Sequence, residues 1–65
     1  MTYVVVAPGK WFLGSDRNWI EEYPDAEIFT SIALARKAAK RAKPVEHGAV
    51  IIGDYGTDHE TEMPV

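Results

Sequence analysis

The hydrophobic positions at the start of the chain predict a central β-strand followed by a hairpin. Residues 2–7 are rich in β-branched and aromatic side chains, and both alternating sets of side chains are apolar. A strand of this kind is usually covered on both faces. Pro8 and Gly9 fit the two central positions of a type II turn. Residues 10–14 are therefore expected to return as the second strand.

The clearest pattern is a helix from Ile32 to Lys43, built mainly from Ala, Leu, Arg and Lys, which are strong helix formers. Thr30 or Ser31 can act as its N-cap, and Pro44 is expected to end it. On a helical wheel one half is apolar and the other half is basic. The apolar half holds Ile32, Leu34, Ala35, Ala38, Ala39 and Ala42, and the basic half holds Arg36, Lys37, Lys40, Arg41 and Lys43. The alanines allow the helix to lie close to a sheet.

The rest of the chain is less regular. Residues 49–55 predict a last strand that is apolar on both faces in its middle. Residues 56–65 are polar and acidic and predict a flexible acidic C-terminal tail. The mixed segment 19–25 is either a short extra strand or an irregular segment that lies across the sheet.

These elements predict one α+β domain over residues 1–55, with a ββαβ order. A helical crossover between strands of one sheet is nearly always right-handed. The second strand is therefore expected to lead through the helix to a parallel last strand. Because the first strand is apolar on both sides, it is placed in the middle, which gives a three-stranded sheet in the order 2-1-3 with one helix packed on one face. A single helix covers only one face. The other face must be covered by the segment Trp19–Tyr23, by a second copy of the chain or by a partner, or else remain exposed.

Composition limits the class of protein. With 65 residues and no cysteine, the chain has no disulfide or Cys-based zinc site to stabilise it. The start lacks a basic region typical of a signal peptide, and no apolar run is long enough to span a bilayer, so a cytoplasmic protein with no membrane partner is expected. The net charge is −3, yet five of the seven basic residues fall in the segment 36–43, which contains no acid.

Several short segments resemble a pattern found in short uncharacterised open reading frames of bacteriophages, prophages and bacterial genomes. These segments are Tyr3-Val4-Val5-Val6, Gly9-Lys10-Trp11, Trp19 with Glu21 and Glu22, Ala26 with Phe29-Thr30-Ser31, the helix from Ala35 to Ala42, and the run Ala49 to Ile52. The resemblance covers most of the chain up to about Asp54 and contains no catalytic motif. It implies a ββαβ-like fold, a mobile-element origin and a role in binding and modulating a host protein, as anti-CRISPR and other anti-defence inhibitors do.

Two groups of residues are candidates for partner binding. The basic half of the helix, Arg36, Lys37, Lys40, Arg41 and Lys43, can bind nucleic-acid phosphates or an acidic protein surface. The alternative is a solvated face that complements the negative end of the helix dipole. Most of the aromatic residues are expected in the core. Among Tyr3, Trp11 and Trp19 we expect at least one tryptophan to be partly exposed, as residues that dominate binding energies often are.

Other chemistries have little support. The acidic segment 16–27 lacks the spacing of a calcium-binding loop. His47 and His59 have no recognised metal-ligand spacing, and no nucleophile or phosphate-loop motif occurs. No catalytic, cofactor-binding or metal-binding residue is assigned, and an enzyme is not expected.

Three hypotheses follow. The first is a small non-enzymatic protein-binding module of phage type. The second, the alternative to it, is a nucleic-acid-binding accessory domain that uses the basic half of the helix. The third, compatible with either, is a homodimer that pairs the open sheet faces.

Overall fold

The computed structural model describes all 65 residues. Its elements, in chain order, are β1 (Tyr3–Ala7), β2 (Trp11–Leu13), β3 (Trp19–Ile20), a 3-10 helix (Tyr23–Asp25), α1 (Ile32–Lys40), β4 (Val50–Gly53) and β5 (Thr61–Pro64). The strands form one antiparallel sheet in the order β3-β2-β1-β4-β5. The valine-rich first strand lies at its centre, and α1 packs across β1 and β4.

The predicted three-stranded ββαβ sheet is therefore wrong, because the sheet gains one strand at each edge. At one edge β3 contributes two residues that pair with Phe12 and Leu13 of β2. At the other edge β5 pairs along the whole length of β4. Residues 61–64, which the sequence analysis assigned to the flexible tail, form this strand. Only Met63 of β5 packs against the core, so its sequence carries little hydrophobic signal.

The turn between β1 and β2 has the features that its sequence predicts. The amide of Lys10 donates a hydrogen bond to the carbonyl of Ala7 at 3.1 Å, and Gly9 has a φ of +88°, as the third position of a type II turn requires. A Cβ atom at Gly9 would also lie 3.3 Å from Cδ1 of Trp11, so the ring of Trp11 packs over the glycine.

The helix begins at Ile32, as predicted, with Ser31 as its N-cap. The Ser31 Oγ accepts hydrogen bonds from the amides of Ala33 and Leu34 at 3.2 and 3.5 Å. The helix ends at Lys40, three residues before the predicted end, with Arg41 as its C-cap. No helix of the structure has both the length and the apolar character needed to cross a bilayer.

The predicted alanine stripe packs against the sheet: Ala35, Ala38 and Ala39 of α1 are buried, and so is Ala42, two residues beyond the end of the helix. Beneath it lies the larger core, whose other buried members are Val5, Leu13, Phe29 and Ile51. Small side chains on the helix let it approach the sheet closely, and the bulk comes from the strands. Leu34, placed by the wheel in the apolar half, is 53% exposed because it lies at the edge of that half.

Candidate functional site

The sheet face opposite α1 carries a continuous line of apolar side chains. Paired positions on neighbouring strands place one such residue from every strand in a single line across the sheet. We call this line the apolar row, and its members in strand order are Ile20, Phe12, Val6, Val50 and Pro64. Cross-strand neighbours on one face lie in side-chain contact. The helix α1 does not cover the row, because it lies on the other face.

An aromatic cluster covers one part of this face. The rings of Tyr23 and Tyr55 lie edge-on to Phe12, at centroid distances of 5.8 and 5.3 Å, and lie 4.6 Å from each other. Phe12 is consequently only 4% exposed. Val6 and Val50 are half-buried, and Pro64 is exposed. The chain thus covers one end of the apolar row and leaves the other end partly open to solvent.

Trp19 does not cover this face, although the segment Trp19–Tyr23 was one of the expected covers. Its partner in the sheet is Leu13, and its side chain packs against the helix-side core. The indole Nε1 donates a 2.7 Å hydrogen bond to the carbonyl of Pro44, just beyond the helix. Trp19 therefore ties the loop after α1 to β3, and Tyr23 supplies the cover on the opposite face.

The other two aromatic candidates differ in exposure. Tyr3 is half-buried and packs against the helix-side core. Trp11 is 40% exposed, at the end of the sheet where it lies over the hairpin turn. Of the two tryptophans, Trp11 is the one available to a partner.

The five basic candidates, Arg36, Lys37, Lys40, Arg41 and Lys43, are all exposed. None of them forms a salt bridge. The one ion pair of the molecule joins Arg17 to Glu27. The structure does not bring the five together at one point. Lys37 and Arg41 lie on the same side of α1 as Leu34, at spacings of three and seven residues. Arg36 lies on the other side, in line with Ile32.

A groove between α1 and the turn that joins β2 to β3 was missed by the sequence analysis. It has a volume of about 240 Å³, and its lining residues are Arg17, Glu27, Phe29, Leu34, Lys37, Ala38 and Arg41. The two walls come from segments that are distant in the chain and meet only in the folded protein. No sequence signal marks it except the basic half of the helix itself.

Asp16 lies in the turn between β2 and β3 and bonds to Asn18 in the same turn. Its carboxylate accepts hydrogen bonds from the Asn18 amide at 3.2 Å and from the Asn18 side chain at 3.0 Å. These two bonds, the backbone one first, lower the pKa of Asp16 below its ordinary value of 3.8. The hydrogen bonds between Asp16 and Asn18 are those of a turn stabilised by its own side chains.

His47 and His59 are both exposed, and no three potential metal ligands lie together.

No protein-family model, curated protein or solved structure matches the chain. Fold and geometry define it as a small α+β domain with a five-stranded antiparallel sheet, one partly open apolar face and one basic helical face.

Proposed function

We propose that the chain is a small protein-binding module that docks a partner on the open end of the apolar row. The observation that carries this proposal is the burial of the row, which is deep at Phe12 and incomplete at Val6, Val50 and Pro64. A flat apolar surface with a polar rim is the usual core of a protein–protein interface.

The charge beside the row indicates which partner fits. Glu62 lies on the same face of β5, paired with Ile52, and it makes no salt bridge. A partner with an apolar patch bordered by Lys or Arg complements this surface. A second copy docked face to face would bring two Glu62 carboxylates toward the same interface, which opposes self-association.

The resemblance to short phage-type reading frames makes a host factor the natural partner within this proposal. Gene neighbourhood tests this part independently of any binding assay. A reading frame flanked by phage or anti-defence genes supports it, and one embedded in a housekeeping operon contradicts it.

The binding surface is tested with a Val50→Lys variant, because a lysine at this half-buried position places a charge in the open end of the row. The unmodified chain is immobilised and used to capture proteins from a lysate of its cell of origin. We expect one or a few proteins to be captured reproducibly and to be lost with Val50→Lys. Ala33→Lys, on the exposed surface of α1, is the matched control and should retain them.

Folding of both variants is checked first by circular dichroism and by amide NMR spectra. Equal capture by Val50→Lys and by the unmodified chain would exclude the apolar row as the docking surface. A second copy of the chain could also occupy the apolar row, and sedimentation equilibrium at high concentration detects such a dimer.

A nucleic-acid-binding accessory domain is the second candidate. It is favoured by five exposed cations on and just beyond α1 that no carboxylate neutralises. Gel-shift assays with labelled DNA and RNA at low salt test it. Binding that is abolished by charge reversal at Lys40 and Arg41 would support this function, and unchanged mobility of every nucleic acid would remove it.

A further inference from the structure

The groove beside α1 joins exposed apolar surface to unpaired positive charge. Its floor is formed by Phe29 and Ala38, which are 6% and 2% exposed, and Leu34 stands at its rim at 53% exposed. Leucine favours the helix at this position, and its exposed side chain is also available to a ligand. An apolar side chain that packs on this floor would bury Leu34 and gain hydrophobic free energy.

The wall opposite the helix is held firmly in place. Arg17 adopts a left-handed backbone with a φ of +70°, which is uncommon outside glycine. Its amide donates to the carbonyl of Gly14 at 3.1 Å, and its own carbonyl accepts from the amide of Lys43 at 2.9 Å. The second bond ties this turn to the segment just after α1 and so limits the width of the groove. Strained residues held in this way are frequent at binding sites.

The same wall carries the ion pair. Arg17 Nη1 lies 2.7 Å from Glu27 Oε1, and the backbone amide of Glu27 donates to the carbonyl of Leu13 at 3.0 Å. Glu27 neutralises Arg17 and leaves Lys37 and Arg41, on the helix side, without a carboxylate. The groove therefore has a net positive rim above an apolar floor.

These features match one ligand chemistry, and we propose that the groove binds an acidic peptide segment of a protein partner. A Glu or Asp carboxylate of the segment bonds to Lys37 and Arg41, and a neighbouring aliphatic side chain packs on Phe29 and Leu34. Charge-assisted hydrogen bonds of this kind are the strong ones. The volume of about 240 Å³ is below the range of ~300–1,000 Å³ typical of small-molecule pockets. It accommodates side chains of a segment that lies across it.

Nucleic acid fits the groove less well than an acidic peptide. The apolar floor can accept an aliphatic side chain of a peptide but gives the phosphates of a nucleic acid nothing to contact. The site lies on the helix side of the molecule, away from the apolar row. It is thus a second surface, whose test is independent of the one for the sheet face.

The test uses the full chain, labelled with ¹⁵N, and two blocked peptides. The first is acetyl-Glu-Leu-Glu-Glu-Leu-amide, and the second replaces each Glu by Gln. We expect the acidic peptide to shift the amide signals of residues 17, 27 and 34–41, and the neutral peptide to leave them in place. Shifts that are equal for both peptides, or that fall outside these residues, would overturn the proposal.

Variants then assign the contacts. Replacing both Lys37 and Arg41 by Glu should weaken binding of the acidic peptide by about tenfold or more, since hydrogen bonds to charged groups are lost. Arg36→Glu makes the same kind of change on the other side of α1 and should weaken it by less than about twofold. Leu34→Ser should also weaken it, without loss of folding, because this leucine is already exposed.

Two comparisons separate the alternatives. A twenty-nucleotide oligothymidine that binds more tightly than the acidic peptide would overturn the proposal in favour of nucleic acid. Retention of peptide binding by Val50→Lys is the expected result, and it holds whether or not the sheet face has a partner. If Arg36→Glu and the Lys37 and Arg41 double variant lose the same affinity for the peptide, net charge alone explains the loss. That result would contradict binding in the groove.

Discussion

Replacing Tyr23 by alanine removes one ring from the aromatic cluster that covers part of the sheet face opposite α1. Tyr23 contacts two rings, those of Phe12 and Tyr55, at 5.8 and 4.6 Å. Each such pair contributes about 0.5–1.5 kcal/mol beyond its buried area, so the variant should lose roughly 1–3 kcal/mol. This loss is a large fraction of the total, because a chain of 65 residues has a free energy of unfolding of only about 3–10 kcal/mol.

The assay is thermal unfolding followed by far-UV circular dichroism, with urea unfolding to measure the free energy directly. For a domain of this size about 1 kcal/mol lowers Tm by roughly 4–8 °C, so Tyr23→Ala should melt well below the unmodified chain. Tyr23→Phe is the matched control, since it keeps the ring and the Tyr23 hydroxyl makes no hydrogen bond. Equal Tm values for the alanine variant and the unmodified chain would refute the role of Tyr23 as a cover.

Three further predictions follow from individual contacts. Ser31→Ala removes the acceptor for the first amides of α1 and should cost about 1 kcal/mol in urea unfolding; an unchanged midpoint would contradict its capping role. Trp19→Phe removes the indole donor at 2.7 Å, and should cost about 0.5–1.5 kcal/mol and speed amide exchange after the helix; unchanged exchange would count against the tie. The carboxyl of Asp16 should titrate in NMR below its ordinary pKa of 3.8, and Asn18→Ala should move the midpoint back up. Because the folded pKa of Asp16 is lowered, its contribution to stability is present above the unfolded pKa and is lost as the pH falls through the folded one.

The parts of the fold that could be predicted are those encoded by local sequence. The alanine periodicity of α1 and the N-cap hydroxyl of Ser31 specify a helix and its starting residue without reference to the rest of the chain. Pro8 and Gly9 likewise specify their own turn, since proline presets one dihedral angle and glycine accepts a positive φ. Each of these signals acts within a few residues.

The parts that were missed depend on contacts between distant segments. The strand β5 alternates inward and outward like any strand, but its sequence, Thr-Glu-Met-Pro, has a single apolar residue facing the core, so its pairing with β4 determines its structure. The sequence of segment 19–25 allows either a short strand or an irregular segment, and only the pairing of the two-residue strand β3 with β2 selects the first. The groove could not be foreseen, because Arg17 and Glu27 are far from α1 in the sequence and meet it only in the folded chain.

The two added edge strands have a consequence for the behaviour of the protein at high concentration. The inner strands β1 and β4 are rich in Val and Ile, and an unpaired strand of this kind is a template for amyloid-like growth. β5 shields β4 with a strand that carries Glu62 and ends at Pro64, which has no N–H to offer an incoming chain. Deleting residues 61–65 would turn Val50–Gly53 into an outer strand, and the truncated protein should form thioflavin-positive fibrils under conditions in which the full chain stays clear.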